Sequence, residues 1–244
     1  MKKLTLLAAA LLVSACGDKG NDPAATSNQP LTQVAAPNGD WTKAVTQTPE
    51  GGMLMGNPNA KVKLVEFGSM SCSHCAEFAE KDEPKLVNNY VKSGQVSYEF
   101  RNFVRDPLDI TMSLIARCAG ANPQFFQLTQ AMYADQANLF QRLQAVPEQQ
   151  LQALQTQPPA QQFQNYARLA GLQEWAAQRG LPSAKTNQCL SNQAEIERLV
   201  QMNSDTTTQY PQFEGTPGFV INGKFVGSLP WDQLEPQIRG AVGS

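Results

Sequence analysis

The stretch Lys61-Val62-Lys63-Leu64-Val65-Glu66-Phe67-Gly68-Ser69-Met70-Ser71-Cys72-Ser73-His74-Cys75 decides the fold. Its first seven residues begin with alternating polar and apolar side chains and end apolar, the pattern of a strand. Gly68 to Ser71 is a short connection. From Ser73 onward Cys75, Phe78, Ala79, Leu86 and Val87 recur at helical spacing, with Pro84 expected to kink the helix. A C-x-x-C pair therefore follows a strand and opens a helix. Helix N-termini leave backbone N–H groups unpaired and carry partial positive charge, and both favour a thiolate at Cys72. The spacing puts Cys75 one turn further in, close enough to bond the Cys72 sulfur and better buried.

A C-x-x-C is also half of a structural zinc site, which wants four Cys or His ligands. The only His is His74, and Cys118 and Cys189 stand alone rather than as a second pair. Redox chemistry is the expected reading, with no metal and no cofactor. The single His also excludes a Cys–His or Ser–His–Asp hydrolase that needs a separate base. His74 has two readings of its own. It is a passive exposed residue, or its ring gives a hydrogen bond or positive charge to the Cys72 sulfur and lowers that thiol's pKa. The second is preferred.

The chain has 244 residues and a formal net charge of -2, so no basic excess points to nucleic acid. Lys2 and Lys3 precede an apolar run from Leu4 to Val13, too short to span a bilayer. Leu12-Val13-Ser14-Ala15-Cys16 resembles a bacterial lipobox, in which the Cys becomes the first mature residue and carries lipid. An ordinary cleaved signal peptide is the alternative. Residues 1–15 are read as the signal and residues 16–39 as a polar tether. Some 20 to 25 flexible residues reach roughly 25–30 Å. The expected place is the periplasmic side of the cell envelope, lipid-anchored. Gly17 rather than Asp after the Cys resembles the sorting signal of outer-membrane lipoproteins, which implies the outer membrane.

Five cysteines are an odd number for an exported chain. Cys16 goes to lipid and Cys72 and Cys75 to each other. Cys118 and Cys189 remain, 71 positions apart. An oxidising compartment favours pairing them, which the loop-entropy model credits with roughly 4 kcal/mol. The alternative is two buried free thiols. Further on, Asn222-Gly223 between apolar runs signals a hairpin, and Thr216-Pro217 stands just before its first strand.

In this order the elements resemble the thioredoxin superfamily, in its DsbA-like branch, over residues 40–244. The resemblance implies an α/β thioredoxin fold with an inserted helical domain at about 107–185. It also implies a monomer. It makes Cys72 the attacked and attacking sulfur, and Cys75 its resolving partner. Glu66, six residues before Cys72, takes the place of a buried acid that moves the Cys75 proton. A strand-end carboxylate that reaches water is the alternative. Thr216-Pro217 takes the place of a cis-proline that pairs with an extended substrate chain. A trans turn proline is the alternative. Ser-His between the cysteines, and Thr rather than Val before the proline, depart from the best-known oxidase and leave the potential open.

The implied activity is a thiol:disulfide oxidoreductase donating its Cys72–Cys75 disulfide to unfolded exported proteins with thiols. A DsbB-like membrane partner would reoxidise it. An isomerase or reductase is the rival, although isomerases of this superfamily carry an extra N-terminal dimerisation domain. A chaperone-like binding module with weak redox activity is a second rival.

Overall fold

The computed structural model describes residues 31–243. Cys16 and the apolar leader lie outside the described residues. The chain runs through strands β1 (Val45–Gln47), β2 (Met53–Gly56) and β3 (Val62–Gly68), then helices α1 (Ser73–Lys81) and α2 (Glu83–Leu86). Strand β4 (Val96–Asn102) follows. Next come helices α3 (Pro107–Arg117), α4 (Pro123–Ala134), α5 (Gln136–Gln144), α6 (Glu148–Leu154), α7 (Pro159–Leu169), α8 (Leu172–Ala177), α9 (Ser183–Leu190) and α10 (Gln193–Gln209). Strands β5 (Gly218–Ile221) and β6 (Lys224–Gly227) and helix α11 (Trp231–Gly243) close the fold.

One six-stranded sheet has the order β1-β2-β4-β3-β5-β6. Only the β3–β4 pair is parallel, and α1 and α2 make its crossover. Strand β3 is therefore interior, pairing Glu66 with Phe100 on one side and Phe219 on the other. Strand side chains alternate between faces. Leu64 joins the main core under the helices, while Val65 and Phe67 join a second cluster with Tyr210, Val220, Phe213 and Phe225. Glu66 shares the face of Leu64, so its carboxyl has no route to water along the sheet.

The hairpin turns at Asn222 (φ 49°) and Gly223 (φ 83°), the two positive values a type I′ turn needs. Asn222 also locks the hairpin to β3, its Oδ1 accepting from the Lys63 N–H at 2.8 Å.

Three boundaries differ from the sequence reading. The helix after the cysteines does not bend at Pro84. It stops at Asp82 and restarts, with Pro84 in the first turn of α2, where its missing N–H leaves no bond unmade. The expected end of the insertion, 185, falls inside α9. That helix is tied back to α3 by a Cys118–Cys189 disulfide (S–S 2.02 Å), so the helical layer continues through Leu190. The tether was expected to reach 39, but packing begins by residue 31. Val34 N–H donates to the Ser93 carbonyl (2.8 Å), Trp41 Nε1 to the Val34 carbonyl (2.8 Å) and Gln95 Nε2 to the Thr32 carbonyl (2.9 Å). Composition concealed this docking because the hydrogen-bonding groups are the backbone N–H of Val34 and the backbone carbonyls of Thr32 and Val34, which carry no side-chain signal. Among the described residues no helix is long and apolar enough to cross a membrane.

Candidate active site

Strand β3 delivers the chain to loop 69–71, and Cys72 caps α1 with extended backbone (φ −88°, ψ 123°). The cap leaves the first N–H groups of the helix pointing back at the sulfur. Cys72 is pulled down from 9.0 to about 5. The largest cause is the Cys75 thiol donating to it; the Thr216 hydroxyl and the backbone N–H groups of Cys75 and His74 add to this, against the opposing effect of burial. The buried Thr216 hydroxyl makes no hydrogen bond of ordinary distance and angle, although it lies close enough to act on the sulfur, and Cys72 Sγ lies 3.2 Å from the Thr216 carbonyl. The Thr216–Pro217 peptide bond is cis, and it brings this pair of oxygens to the helix N-terminus.

Cys75 is fully buried, and burial pushes its thiol well above the ordinary value. The same helical turn thus carries two sulfurs of opposite character, both free thiols in this structure. Glu66 is 1% exposed. Burial first, and then the charge of Glu83, push it up to about 8, while a 2.6 Å hydrogen bond from Tyr98 Oη opposes the rise. Its charge in turn raises Cys75, so the acid and the inner sulfur sense each other. A carboxyl poised near neutrality next to a buried thiol can take or give that thiol's proton.

His74 is placed differently from the preferred reading. Its side chain is 79% exposed, with Nδ1 3.9 Å from Glu77 Oε2. What His74 gives the Cys72 sulfur is its backbone N–H, not its ring. The ring instead borders a groove of about 390 Å³ formed with Phe78, Pro217, Leu229 and Trp231. Of the expected site residues, the structure gathers Cys72, Cys75, Glu66, Thr216 and Pro217 around one point. Cys118 and Cys189, which a four-ligand zinc site would have required, are bonded to each other. Among the described residues no group of three or more His, Cys, Asp or Glu is placed to hold a metal ion.

Several residues at the site were missed in the sequence. Tyr98 reads there as one more apolar strand position, Glu83 as an ordinary helix-start acid. Asp109, Tyr133 and Gln136 lie in the helical layer and give no local signal at all. Yet Tyr133 Oη donates to the Ser69 carbonyl (3.1 Å), and Gln136 Nε2 to the carbonyls of Met70 (2.8 Å) and Cys72 (3.1 Å).

Glu66 yields a test with a definite sign. Its folded pKa (about 8) exceeds its ordinary value of 4.5, so its contribution to stability is fully present below 4.5 and lost as pH rises to about 8. Glu66→Gln removes that loss. Urea unfolding of the variant is expected to show a gain over wild type that grows from pH 4.5 to 8, reaching at most a few kcal/mol. A flat difference across that range would contradict the burial of an ionisable Glu66.

A family model described as thioredoxin matches residues 48–239. A crystal structure of a protein-disulfide isomerase from Novosphingobium aromaticivorans is 35% identical in sequence, with TM-score 0.72, covering 78% of this chain and 97% of that one. The Wolbachia pipientis protein alpha-DsbA1 shares the fold at 20% identity, with TM-score 0.64 over 81% of this chain and 94% of that one. A candidate protein-disulfide oxidoreductase of Rickettsia felis is 25% identical over 88% of this chain and 69% of its own length. A Rickettsia conorii relative is matched over 64% of its length, so the chain spans about two thirds of these curated relatives. The chain belongs to the thioredoxin superfamily and, within it, to the protein-disulfide oxidoreductases.

Proposed function

We propose that the enzyme works as an oxidase, donating the Cys72–Cys75 disulfide to thiols of proteins folding on the periplasmic side of the envelope. The observation that carries this reading is the contrast between a Cys72 thiol pulled down to about 5 and a Cys75 thiol pushed far up. A reduced form stabilised as the Cys72 thiolate makes the disulfide easier to reduce, and hence a stronger oxidant.

The steps follow from the geometry. A substrate thiolate attacks Cys72 Sγ, and the bond to Cys75 breaks. Cys75 leaves as a thiolate that burial disfavours, and it takes the proton of Glu66. The mixed disulfide lies beside the cis Thr216–Pro217 bond, where an extended substrate segment can pair with backbone and rest in the apolar groove. A second substrate thiolate then attacks the substrate's sulfur, and Cys72 leaves as the stabilised thiolate. The substrate loses two electrons and the enzyme gains them. A membrane partner of the DsbB kind would remove them again, with the enzyme acting as a monomer.

One observation favours a second reading. The Novosphingobium relative is a protein-disulfide isomerase. An isomerase would work from the reduced state and need a lower potential.

Equilibration with glutathione buffers at neutral pH separates the two. The oxidase reading expects a couple near about −120 mV, well above the roughly −180 mV of protein disulfide isomerase, and stoichiometric oxidation of a reduced unfolded client without added oxidant. A midpoint at about −180 mV or below, towards the thioredoxin value of about −270 mV, would sink it.

The envelope location rests on the lipobox-like run ending at Cys16, with lipid chains holding the enzyme to a membrane, the outer one favoured. Mass analysis of the mature N-terminus is expected to find Cys16 acylated as the first residue. Cleavage beyond Cys16, or an unmodified Cys16, would place the enzyme free of the membrane.

A further inference from the structure

The redox pair stands at the end of β3, with β4 on one side and β5 on the other. On the β5 side the chain arrives through the cis Thr216–Pro217 bond. On the β4 side it leaves through residues 103–106. The parallel register pairs Gly68 with Asn102, and the Phe103 N–H donates to the Gly68 carbonyl at 2.8 Å. Carried three residues further, the same register sets Arg105 opposite Ser71, and Arg105 Nη2 donates to Ser71 Oγ at 3.0 Å. The Cys72 N–H bonds the Ser69 carbonyl at 3.1 Å, so Ser71 lies in the turn that presents Cys72. The two flanking segments also meet. The rings of Phe103 and Phe213 have centroids 4.7 Å apart, and Phe213 packs on Phe67 of β3 at 5.5 Å. Arg105 and Thr216 therefore belong to one rim, with Cys72 between them.

The place of Arg105 is fixed, but its charge is not used. Its backbone N–H donates to the buried Asp109 carboxylate at 3.0 Å. That carboxylate also accepts from the Met70 N–H at 2.8 Å, so the segments on either side of Ser71 and Arg105 are held together. Arg105 is exposed, and among the described residues it makes no ion pair. Its neighbour Asp106 is occupied elsewhere: it accepts the Asp109 N–H at 2.9 Å as the cap of α3, and Ser71 Oγ lies 3.3 Å from its other oxygen. A carboxylate at a helix N-terminus is balanced by the helix itself. On the far side of Cys72 the acids that line the apolar groove are paired, Glu77 with Lys81 at 2.8 Å and Asp82 with Lys85 at 2.7 Å. The guanidinium thus keeps donors for a further partner beside the reacting sulfur.

We infer that Arg105 is a specificity-determining residue: it binds a carboxylate of the client, an Asp or Glu side chain close in sequence to the client's cysteine. A client sulfur on Cys72 has the cis-proline segment on one side and Arg105 on the other. A chain paired with the Thr216 backbone thus offers its far flank to the guanidinium. An Arg fork matches the two oxygens of a carboxylate. The pair is solvated, so it sets a preference among clients rather than a condition for reaction. The inference rests on the disulfide oxidoreductase chemistry but not on its direction, because the same mixed disulfide forms whichever way the electrons flow.

Reduced enzyme and three symmetric disulfides test it, made from the terminally blocked tripeptides Glu-Cys-Glu, Gln-Cys-Gln and Lys-Cys-Lys. The Cys72 thiolate attacks one peptide sulfur, the bond between the peptides breaks, and one peptide leaves as its thiolate. Acid quench and mass analysis follow the loss of free Cys72. Comparing wild type with variants on the same peptides cancels the reactivity of the peptides themselves. For Arg105→Gln, the ratio of the Glu-peptide rate to the Lys-peptide rate is expected to fall about fivefold at low salt, with the Gln-peptide rate within about twofold of wild type. Arg105→Lys, which keeps the charge, is expected to hold the ratio within about twofold of wild type. Salt at about 0.5 M is expected to bring the wild-type ratio down toward that of Arg105→Gln. An unchanged ratio in Arg105→Gln, or equal slowing with all three peptides, would overturn the inference. Failure of all three disulfides to oxidise wild-type Cys72 would overturn the disulfide chemistry and this inference with it.

Discussion

The unpaired N–H groups at the start of α1 point at one sulfur, and one turn later the same helix carries the other sulfur into the core. Everything else at the site answers to that asymmetry. An anion at the helix terminus is favoured by donors that no intrahelical carbonyl can satisfy. An anion one turn inside has the sheet on one side and the helical layer on the other, with almost no water. The first sulfur is therefore stable as the thiolate that ends a reaction, and the second is stable only as a thiol. Glu66 is buried and its charge raises the second sulfur, and in the mechanism proposed above it is the group that exchanges a proton with that sulfur. Its partner Tyr98 lies on β4, the one strand parallel to β3, so the acid is oriented by the innermost pairing of the sheet.

The order of elements around the cysteines could be read along the chain because each signal is local. The alternation in Val62–Phe67, the helical spacing after Cys75 and the Asn222-Gly223 turn each span a few residues. What escaped reading is non-local or rotameric. Glu66 and Tyr98 meet across 32 positions, and Ser69 and Asp109 across 40. No period or propensity connects such pairs. His74 shows the rotameric kind: its place in the motif suggested a ring on the sulfur, yet the helix direction sends the ring outward and leaves only its N–H inside. The tether boundary failed for a third reason. Residues 31 to 34 dock through backbone N–H and carbonyl groups, a single leucine packed on the core and a tryptophan that lies beyond the polar run, so composition over the run itself carried little sign of it.

The helical layer is more than a lid over the sheet. Through Asp109, Tyr133 and Gln136 it satisfies the polar groups of the loop that leads into Cys72, and through Phe126 it packs on Tyr98 with ring centroids 5.7 Å apart. The α3–α9 disulfide ties the two ends of the layer together. The layer thus meets the thioredoxin part at the loop before Cys72, at the Tyr98–Phe126 and Phe100–Phe125 ring pairs, and where α4 packs on α1.

The most direct test of this account is the titration of the reduced pair, followed by thiolate absorbance in the ultraviolet, with Cys72→Ser and Cys75→Ser variants to assign the signals. The account predicts one thiolate appearing at about pH 5 that vanishes in Cys72→Ser, and no second thiolate until well above pH 9. A Cys72 midpoint near the ordinary value of 9.0, or a Cys75 thiolate appearing first, would contradict it.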